Sequence, residues 1–509
     1  MLAKITSGAI MGIDGYLVDV EVDISQGLPA FDIVGLPDSS IKESKDRVRT
    51  AIKNSGWNFP IKRITVNLAP ADTKKAGPAY DLPIAVGILI CMDVISQSSV
   101  KDIFFTGELS LDGTLRPVSG VLPMVHTAWR EGCRKSILPA ANQEEGALAE
   151  GMEVMGVATL FELAEILRLG RWTPIQTDIA KTFQPPRGEA ALPDFGDVKG
   201  QESVKRALEI AAAGYHNILM IGPPGSGKTM MAKRLPSILP DLSLRESLEI
   251  TKVYSIAGLL DSKKALVTQR PFRAPHHTAS HAALVGGGRI PMPGEISLAH
   301  NGILFLDELP EFQKKTLEML RQPLEDRQIT VSRVSGVHTY PSFFLLAASM
   351  NPCPCGYYGS TGKCRCTQNE IAHYLGRVSG PLLDRIDMQV EAPFVEFTSL
   401  QSSRQTESSE GIRARVSGAL LMQRSRYASE NIRFNAQLSA PQIEKYCAIG
   451  PQEQKLLRQV FDKMGLSARA YHKILRLART IADLDQKDSI GLTHLAEAVQ
   501  YRGLDRKYW

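Results

Sequence analysis

The sequence predicts an α/β protein with a parallel-sheet core, a mixed α/β segment before it and a helical segment after it. The core is indicated by the apolar run Ile218–Ile221, which is typical of a buried parallel strand and leads into a glycine-rich loop. In the first third of the chain, the alternating segments 17–24 and 63–68 predict half-buried strands. The last hundred residues instead show the spacing of amphipathic helices.

A chain of 509 residues is too long for one hydrophobic core, and about three domains are expected. Residues 173–194 contain four prolines and few large apolar residues, which favours a linker. The predicted units are a mixed α/β domain over 1–172, this linker, a core over 195–395 and a helical domain over 396–509. Within the last of these, helices are predicted over 411–428, 440–447, 452–464, 468–483 and 493–501.

The composition, with 43% hydrophobic and 22% charged residues, is ordinary for a soluble globular protein. No apolar run approaches the ~20 residues needed to span a bilayer, and the N-terminus lacks the pattern of a signal peptide. A cytoplasmic location without membrane contact is therefore expected. Four of the seven cysteines fall within 353–366, which does not resemble a secreted disulfide framework.

The formal net charge of +5 is modest but unevenly distributed. Residues 404–509 hold 18 Lys and Arg against 11 Asp and Glu, so this segment more than accounts for the whole excess. A solvated helical surface and contact with a polyanion both explain such a segment.

The glycine-rich loop fits the G-x-x-x-x-G-K-[ST] phosphate-loop pattern at every position. Its glycines let backbone N–H groups turn toward phosphate oxygens, and the following helix presents its positive end to the same anion. The lysine can reach the β- and γ-phosphates, and the threonine hydroxyl can ligate Mg²⁺. ATP and Mg²⁺ are the expected ligands. The loop consists of Gly222, Pro223, Pro224, Gly225, Ser226, Gly227, Lys228 and Thr229.

Further polar residues follow later strands and complete the candidate hydrolytic site. The apolar strand ending at Asp307 and Glu308 offers one carboxylate for the Mg²⁺ shell and one to polarise water. Asn351 follows the next predicted strand and is a candidate contact for water or the γ-phosphate, although a simple turn former is the alternative. Arg385 lies between acidic residues, and this pattern alone indicates a local salt bridge. In a ring ATPase the same residue is a candidate arginine finger. Arg469 opens a helix of the last domain and is a candidate nucleotide contact from a lid.

The N-terminal segment resembles the proteolytic domain of the Lon family over residues 31–52, 64–89 and 105–132. That family's pattern has a nucleophilic Ser after Gly-Pro, where this sequence has Ala79, and a catalytic Lys where it has Leu122. Neither side chain can attack a carbonyl or take up a proton, so peptide cleavage by that dyad is excluded. The domain is interpreted as a non-peptidase relative used for assembly or nucleic acid, and Asp81 as a buried structural carboxylate.

The core is similar to the AAA+ ATPases of the magnesium-chelatase group, and nearly the whole chain resembles the YifB/ComM family. The resemblance rests on 271–277, 286–295 and 349–356, together with the joined Lon-like segment. It implies an AAA+ core with a helical lid and a homo-hexameric ring acting on single-stranded or branched DNA. It further implies a helicase that promotes branch migration when transforming DNA is integrated, alongside recombination or competence proteins. The alternative is a magnesium-chelatase-like motor that remodels a protein partner for metal insertion.

Two inserts are candidates for gripping a polymer. Residues 328–340 alternate around a turn, which predicts a β-hairpin. In the family such hairpins point into the central pore, so the resemblance makes Arg333 and His338 candidate DNA contacts, with an ordinary solvated hairpin as the alternative. The insert 271–295 holds three histidines and Arg289, and a mobile DNA-facing or pore loop is favoured over a metal site. The histidines are His276, His277 and His281.

The cysteine cluster supplies four thiols, which is enough for tetrahedral Zn²⁺. Its two C-x-C pairs have a tighter bite than the usual C-x-x-C, so free or redox-labile thiols stay open as the alternative. The candidate ligands are Cys353, Cys355, Cys364 and Cys366.

Overall fold

The structure is a computed structural model of the chain. It describes residues 2–175, 177, 179, 183, 192–261, 264–288, 291–333, 336–359, 363–394, 406–465, 467–504 and 508.

The first domain is built on a seven-stranded mixed sheet with the spatial order β3-β4-β2-β1-β5-β8-β9. The first strand pairs antiparallel with the second along its whole length, from Leu2–Asp23 to Met11–Asp14. One helix carries an almost purely apolar sequence and is buried on every side against this sheet. The strands are β1 (Leu2–Met11), β2 (Asp14–Ser25), β3 (Ala30–Val34), β4 (Arg63–Ala69), β5 (Ile103–Phe105), β6 (Glu108–Leu109), β7 (Leu115–Arg116), β8 (Lys135–Pro139) and β9 (Glu153–Val157). The helices are α1 (Ser39–Asn54), α2 (Asp81–Cys91), α3 (Val121–Arg130), α4 (Gln143–Gly146) and α5 (Leu160–Leu169).

The second domain has a five-stranded sheet with the order β11-β14-β17-β10-β18. Every pair in it is parallel, and the three central strands are entirely buried. This arrangement confirms the predicted α/β class. The strands, with two further hairpins, are β10 (Ile218–Ile221), β11 (Phe272–Arg273), β12 (Gly286–Gly287), β13 (Met292–Pro293), β14 (Ile303–Leu306), β15 (Gln328–Arg333), β16 (Gly336–Pro341), β17 (Leu345–Met350) and β18 (Met388–Glu391). The helices are α6 (Glu202–Gly214), α7 (Lys228–Ala232), α8 (Leu235–Ile238), α9 (Leu244–Ile256), α10 (His281–Val285), α11 (Glu295–Leu298), α12 (Lys314–Glu318), α13 (Arg321–Asp326), α14 (Gln368–Leu375) and α15 (Gly380–Leu383).

The last domain is helical, as the periodicity predicts, and each predicted helix is present within two residues of its expected bounds. The helices are α16 (Ser409–Arg426), α17 (Ala440–Tyr446), α18 (Pro451–Met464), α19 (Ala468–Leu484) and α20 (Leu492–Gln500). They share one hydrophobic core with α6 and with one face of the five-stranded sheet. The helical domain is therefore packed onto the sheet domain.

A buried polar contact joins the sheet domain to the helical domain. The ring Nε2 of His216 lies 2.7 Å from the hydroxyl of Thr480 on α19. Burial lowers the pKa of His216 to about 4, so its imidazole is neutral at pH 7. Beside it, the ring of Tyr215 stacks on those of Phe343 and Phe434 at centroid distances of 4.7 and 4.5 Å.

The first domain meets the second through α3 and α9. The backbone N–H of Gly120 donates to the carbonyl of Ser255 at 3.0 Å. The buried carboxylate of Glu145 accepts from the Ser255 hydroxyl and, at 2.9 Å, from the N–H of Leu122. Burial raises the pKa of this carboxyl, and these hydrogen bonds partly offset the increase.

Within the described part of the chain, none of the helices combines the length and the apolar character that a membrane crossing requires.

Candidate nucleotide-binding site

The predicted ATP-site residues meet at the carboxyl edge of the five-stranded sheet. The phosphate loop follows β10, Asp307 and Glu308 follow β14, and Asn351 follows β17. Because β10, β14 and β17 are parallel neighbours, their carboxyl ends meet at one edge, which is the usual ligand position in open α/β sheets.

The phosphate loop depends on glycine at three places. Gly225 and Gly227 have φ of 76° and 86°, in the left-handed region that side chains rarely adopt. A Cβ on Gly222 would lie 2.2 Å from the carbonyl oxygen of Ala392, so the loop starts hard against the segment after β18. These glycines allow the turn that aims backbone N–H groups at an anion.

Lys228 is held in the mouth of this loop. Its Nζ donates to the carbonyls of Gly222 and Pro223 at 2.7 and 2.9 Å and to Oδ1 of Asn351 at 3.2 Å. Burial lowers the pKa of Lys228, while the charges of Asp307 and Glu308 oppose the shift. The ammonium group is thus partly desolvated and held within the loop.

Asp307 is fixed by two hydroxyl groups. The Thr229 hydroxyl donates to Oδ2 of Asp307 at 2.6 Å, and the Ser349 hydroxyl donates to Oδ1. A hydroxyl and a carboxylate in contact are the protein ligands expected around a nucleotide-bound Mg²⁺. The residues present therefore fit this metal. Sequence reasoning did not select Ser349, since only the through-space pairing of β14 with β17 brings it to Asp307.

Glu308 lies at the same edge with its carboxylate more exposed than that of Asp307. Its Oε2 is 3.6 Å from Nδ1 of His277, whose ring is 4.1 Å from that of His276 between centroids. The sequence suggested these histidines only as part of a loop. Their segment follows β11, the parallel neighbour of β14, and this neighbourhood places His277 next to the candidate base.

The two candidate arginines lie at the opposite, amino-terminal edge. Arg385 precedes β18; its Nη1 donates to the carbonyl of Pro381 at 2.6 Å, and its Nη2 pairs with Glu325. Arg469 is 3.7 Å from the carboxylate of the neighbouring Asp384. A four-residue strand is about 13 Å long, so this edge is well separated from the phosphate loop of the same chain.

The predicted hairpin is formed by β15 and β16, which pair from Gln328–Pro341 to Arg333–Gly336. Here it rests on the first domain: the N–H of Gly12 donates to Nδ1 of His338 at 2.9 Å. The side chain of Arg333 and all of Arg289 lie outside the described residues.

A cavity lies between the first domain and this hairpin. A space of about 740 Å³ is lined from the first domain by the Gly77–Tyr80 turn and closed by Val337 and His338. Ala79 contributes to its wall, and Leu122 is buried. Asp81 is fully buried and forms a two-pronged ion pair with Arg47 at 2.7 and 3.0 Å, which confirms its structural role.

The four cysteines converge beside the phosphate loop. Three of their sulfur–sulfur distances are 3.4, 3.7 and 3.9 Å, and all four sulfurs lie within 4.8 Å of one another. Four thiolates at ~2.3 Å from Zn²⁺ are about 3.8 Å apart in a tetrahedron, so this cluster fits the metal. The backbone N–H of Arg365 lowers the pKa of the Cys355 thiol, and the neighbouring thiols raise the pKa of Cys364 and Cys366, so these groups titrate together. A Cβ on Gly356 would lie 2.4 Å from Cδ of Pro224, so the cysteine loop touches the phosphate loop directly.

Three family profiles match the chain. The profile described as "Magnesium chelatase, subunit ChlI" matches residues 194–400. The one described as "Subunit ChlI of Mg-chelatase" matches 20–142, and "Magnesium chelatase, subunit ChlI C-terminal" matches 406–502.

Among curated proteins, "Competence protein ComM" of Haemophilus influenzae is 44% identical over 508 residues, covering 99% of this chain and 98% of that protein. "Uncharacterized protein YifB" of Escherichia coli K12 is 44% identical over 509 residues, with the same coverage. "Lon protease 2" of Bacillus subtilis is 29% identical over 161 residues, which are 30% of this chain and 28% of that protein.

Proposed function

Because this chain belongs to the YifB/ComM family of magnesium-chelatase-like AAA+ ATPases, we propose that it is an ATP-driven motor that works on DNA as a hexameric ring. Family membership implies ATP and Mg²⁺ as its ligands. The proposed activity is branch migration during integration of transforming DNA or in recombination, in the cytoplasm and alongside recombination or competence proteins. The name of the Haemophilus relative, "Competence protein ComM", supports a role in the uptake of transforming DNA.

One observation carries the ring proposal: the two halves of a hydrolytic site lie on opposite edges of one sheet. Lys228, Thr229 and Asp307 are at the carboxyl edge, while Arg385 and Arg469 are at the other. Within one chain the halves do not meet. In a ring, the amino-terminal edge of one subunit faces the phosphate loop of the next, and a complete site forms at each seam.

The residues of such a seam have distinct tasks. The loop N–H groups and Lys228 hold the phosphates, and Thr229 with Asp307 supports the metal. Mg²⁺ held by these two residues would neutralise negative charge that develops in phosphoryl transfer. Glu308 polarises the attacking water, with Asn351 orienting it beside Lys228.

The arginines complete the seam from the neighbouring subunit. Arg385 leaves Glu325 and contacts the γ-phosphate as an arginine finger. Arg469, which the sequence suggested as a lid contact, is assigned to the same neighbouring nucleotide because it lies beside Asp384 at the Arg385 edge.

We propose structural Zn²⁺ for the cysteine cluster. Its sulfur geometry supports this assignment, and its contact with Pro224 gives the metal a role in shaping the phosphate loop.

DNA is proposed as the polymer because the helical domain carries an excess of positive charge and the sheet domain carries two hairpins. His338 and Arg333 of the second hairpin are the proposed DNA contacts. His338 is paired with Gly12 in the described conformation, so contact with DNA requires the hairpin to leave the first domain.

The alternative is a motor that remodels a protein partner for metal insertion. The magnesium-chelatase descriptions of the matching profiles support this alternative. The ATPase rate separates the two functions. We expect the rate to rise several-fold with a four-way DNA junction, and the protein to convert that junction to duplex products with ATP. A rate indifferent to single-stranded, duplex and branched DNA would reject the DNA motor.

A further inference from the structure

A cavity lined by several cationic side chains lies at the amino-terminal edge of the sheet. Its volume is about 400 Å³, and its wall joins the base of the β15–β16 hairpin to the helix α19. We call it the cationic cavity, after the side chains in its wall: Arg327, Arg385, Arg469, Lys473 and Arg476.

The negative charges in this wall do not balance the positive ones. Three carboxylates contribute, and each is matched by one cation. The pairs are Arg385 with Glu325, Arg469 with Asp384 at 3.7 Å, and Lys473 with Asp387 at 3.6 Å. Two guanidinium groups, those of Arg327 and Arg476, have no ion pair with any residue that the structure describes.

These two guanidinium groups differ in exposure, since Arg476 is half-buried and Arg327 is exposed. Desolvation lowers the pKa of both arginines; the carboxylate of Asp387 partly offsets this shift at Arg476, and the positive charges of Arg476 and Arg433 add to it at Arg327. The Nε of Arg476 is buried without a hydrogen-bond acceptor in the described part of the chain. The face of Phe343, 5.5 Å from the Arg327 guanidinium, compensates one of them in part. Two like-charged guanidiniums in one cavity wall, without carboxylate partners among the described residues, favour an anion between them.

We propose that the cationic cavity binds a phosphate group between Arg327 and Arg476. Guanidinium groups recognise phosphate oxygens with paired, charge-assisted hydrogen bonds, and two of them facing one cavity suit a doubly charged anion. The phosphate comes either from free inorganic phosphate or from the nucleotide of a neighbouring subunit. Only the second source rests on the proposed ring.

The position of Arg327 gives this site a consequence for the hairpin. Arg327 directly precedes β15, has φ of 56°, and accepts at its carbonyl from the N–H of Ser342 at 2.9 Å, which closes the base of the hairpin. A phosphate held by Arg327 and Arg476 therefore ties the hairpin base to the helical domain. Its arrival or departure would reposition the hairpin.

The first test uses pyrophosphate as the probe and the full-length chain with Lys228→Ala, which silences the phosphate loop. We expect calorimetric titration at constant ionic strength to show one pyrophosphate per chain. Adding Arg476→Gln, or Arg327→Gln from the hairpin side, should weaken it by about tenfold or more, since a charge-assisted pair is lost. Adding Arg458→Gln is the matched control, because Arg458 is an exposed arginine of the same domain, and it should change nothing.

The second test identifies the source in an otherwise unaltered chain. If the phosphate belongs to the nucleotide of a neighbouring subunit, Arg476→Gln should raise the KM for ATP about tenfold. If the cavity instead binds free phosphate, Arg476→Gln should leave the KM for ATP unchanged, and added phosphate should no longer inhibit the ATPase of this variant. Thermal unfolding in chloride adds a separate check: removing an uncompensated cation should not lower Tm, whereas loss of a structural arginine would.

The proposal is overturned if Arg476→Gln and Arg458→Gln bind pyrophosphate equally and leave both KM and phosphate inhibition unchanged. Neither test contains DNA, so its failure is distinct from failure of the proposed DNA motor.

Discussion

At the scale of single residues, Glu308 has an unusual backbone for a side chain of its type. Its φ of 52° and ψ of 50° place it in the left-handed region, which non-glycine residues occupy rarely and at an energetic cost. Its carboxylate lies beside His277, whereas the carboxylate of Asp307 accepts from Thr229 and Ser349. Two adjacent carboxylates thus face different partners, as a metal ligand and a base must.

We predict that Glu308→Gln lowers the kcat for ATP hydrolysis by about 10²- to 10⁴-fold, because the amide cannot accept a proton from water. The Kd for ATP should stay within a few-fold, since the phosphate loop is unchanged. Steady-state turnover and binding of a fluorescent ATP analogue measure the two quantities. Glu311→Gln is the control, because Glu311 is three residues away and pairs with Arg377 instead. Normal turnover by the Glu308 variant would contradict the assignment.

The sequence predicts the residues of this site to different extents, for physical reasons. Lys228 and Thr229 are readable because a phosphate loop is contiguous, and glycines at fixed spacing are required by its turn. Ser349 and His277 reach the site only through the order of parallel strands, which no local spacing encodes. The position of Arg469 at the Arg385 edge likewise depends on how α19 packs against the sheet.

At the scale of elements, periodicity predicts the helices of the last domain and the β15–β16 hairpin well, because burial on one face imposes it. It does not predict where an element docks. The hairpin rests on Gly12 of the first domain, through a hydrogen bond between residues 326 positions apart in the chain. The cysteine loop, likewise, packs on the phosphate loop through Gly356 and Pro224.

We predict that replacing one cysteine of this loop, as in Cys364→Ser, removes about one bound Zn²⁺ per chain and weakens ATP binding by about tenfold. The reason is that Gly356 supports Pro224 only while the loop is closed. Elemental analysis and nucleotide titration measure the two effects. Cys133→Ser, at a buried cysteine of the first domain, controls for general loss of a thiol. If the variant lost the metal but bound ATP normally, the prediction that the cysteine loop supports the phosphate loop would be wrong.

The His216–Thr480 contact predicts a pH dependence of stability. The folded pKa of about 4 is depressed below the ordinary 6.5, so the unfolded chain takes up a proton first as pH falls. Stability from this group is complete above pH 6.5 and is lost on the way down to pH 4. Between pH 7 and 5 it amounts to about 2 kcal/mol.

The variant His216→Gln can reach the same hydroxyl but does not titrate. Its free energy of unfolding in urea should therefore fall by about 2 kcal/mol less than that of the wild type between pH 7 and 5. Parallel curves for the two proteins would mean that His216 protonates equally in both states.

At the scale of the whole molecule, the five-stranded sheet of the second domain carries different parts of the candidate ATPase site at its two ends. The carboxyl edge holds the phosphate loop and its carboxylates, and the amino-terminal edge holds the arginines and the base of the hairpin. The first domain contacts strand β16 of that hairpin through Gly12 and His338, and a cavity lies between them. A neighbour's nucleotide acting on the arginine edge would therefore act on the hairpin as well.

The central claim is that each hydrolytic site is completed by a second subunit, and mixing two inactive variants tests it most directly. Lys228→Ala keeps Arg385 but has no working phosphate loop, and Arg385→Ala has the reverse defect. Mixed in equal amounts and allowed to assemble, they should recover about a quarter of the wild-type ATPase rate, because random mixing joins the two intact halves at one seam in four. A mixture as inactive as its two components would contradict a site shared between subunits.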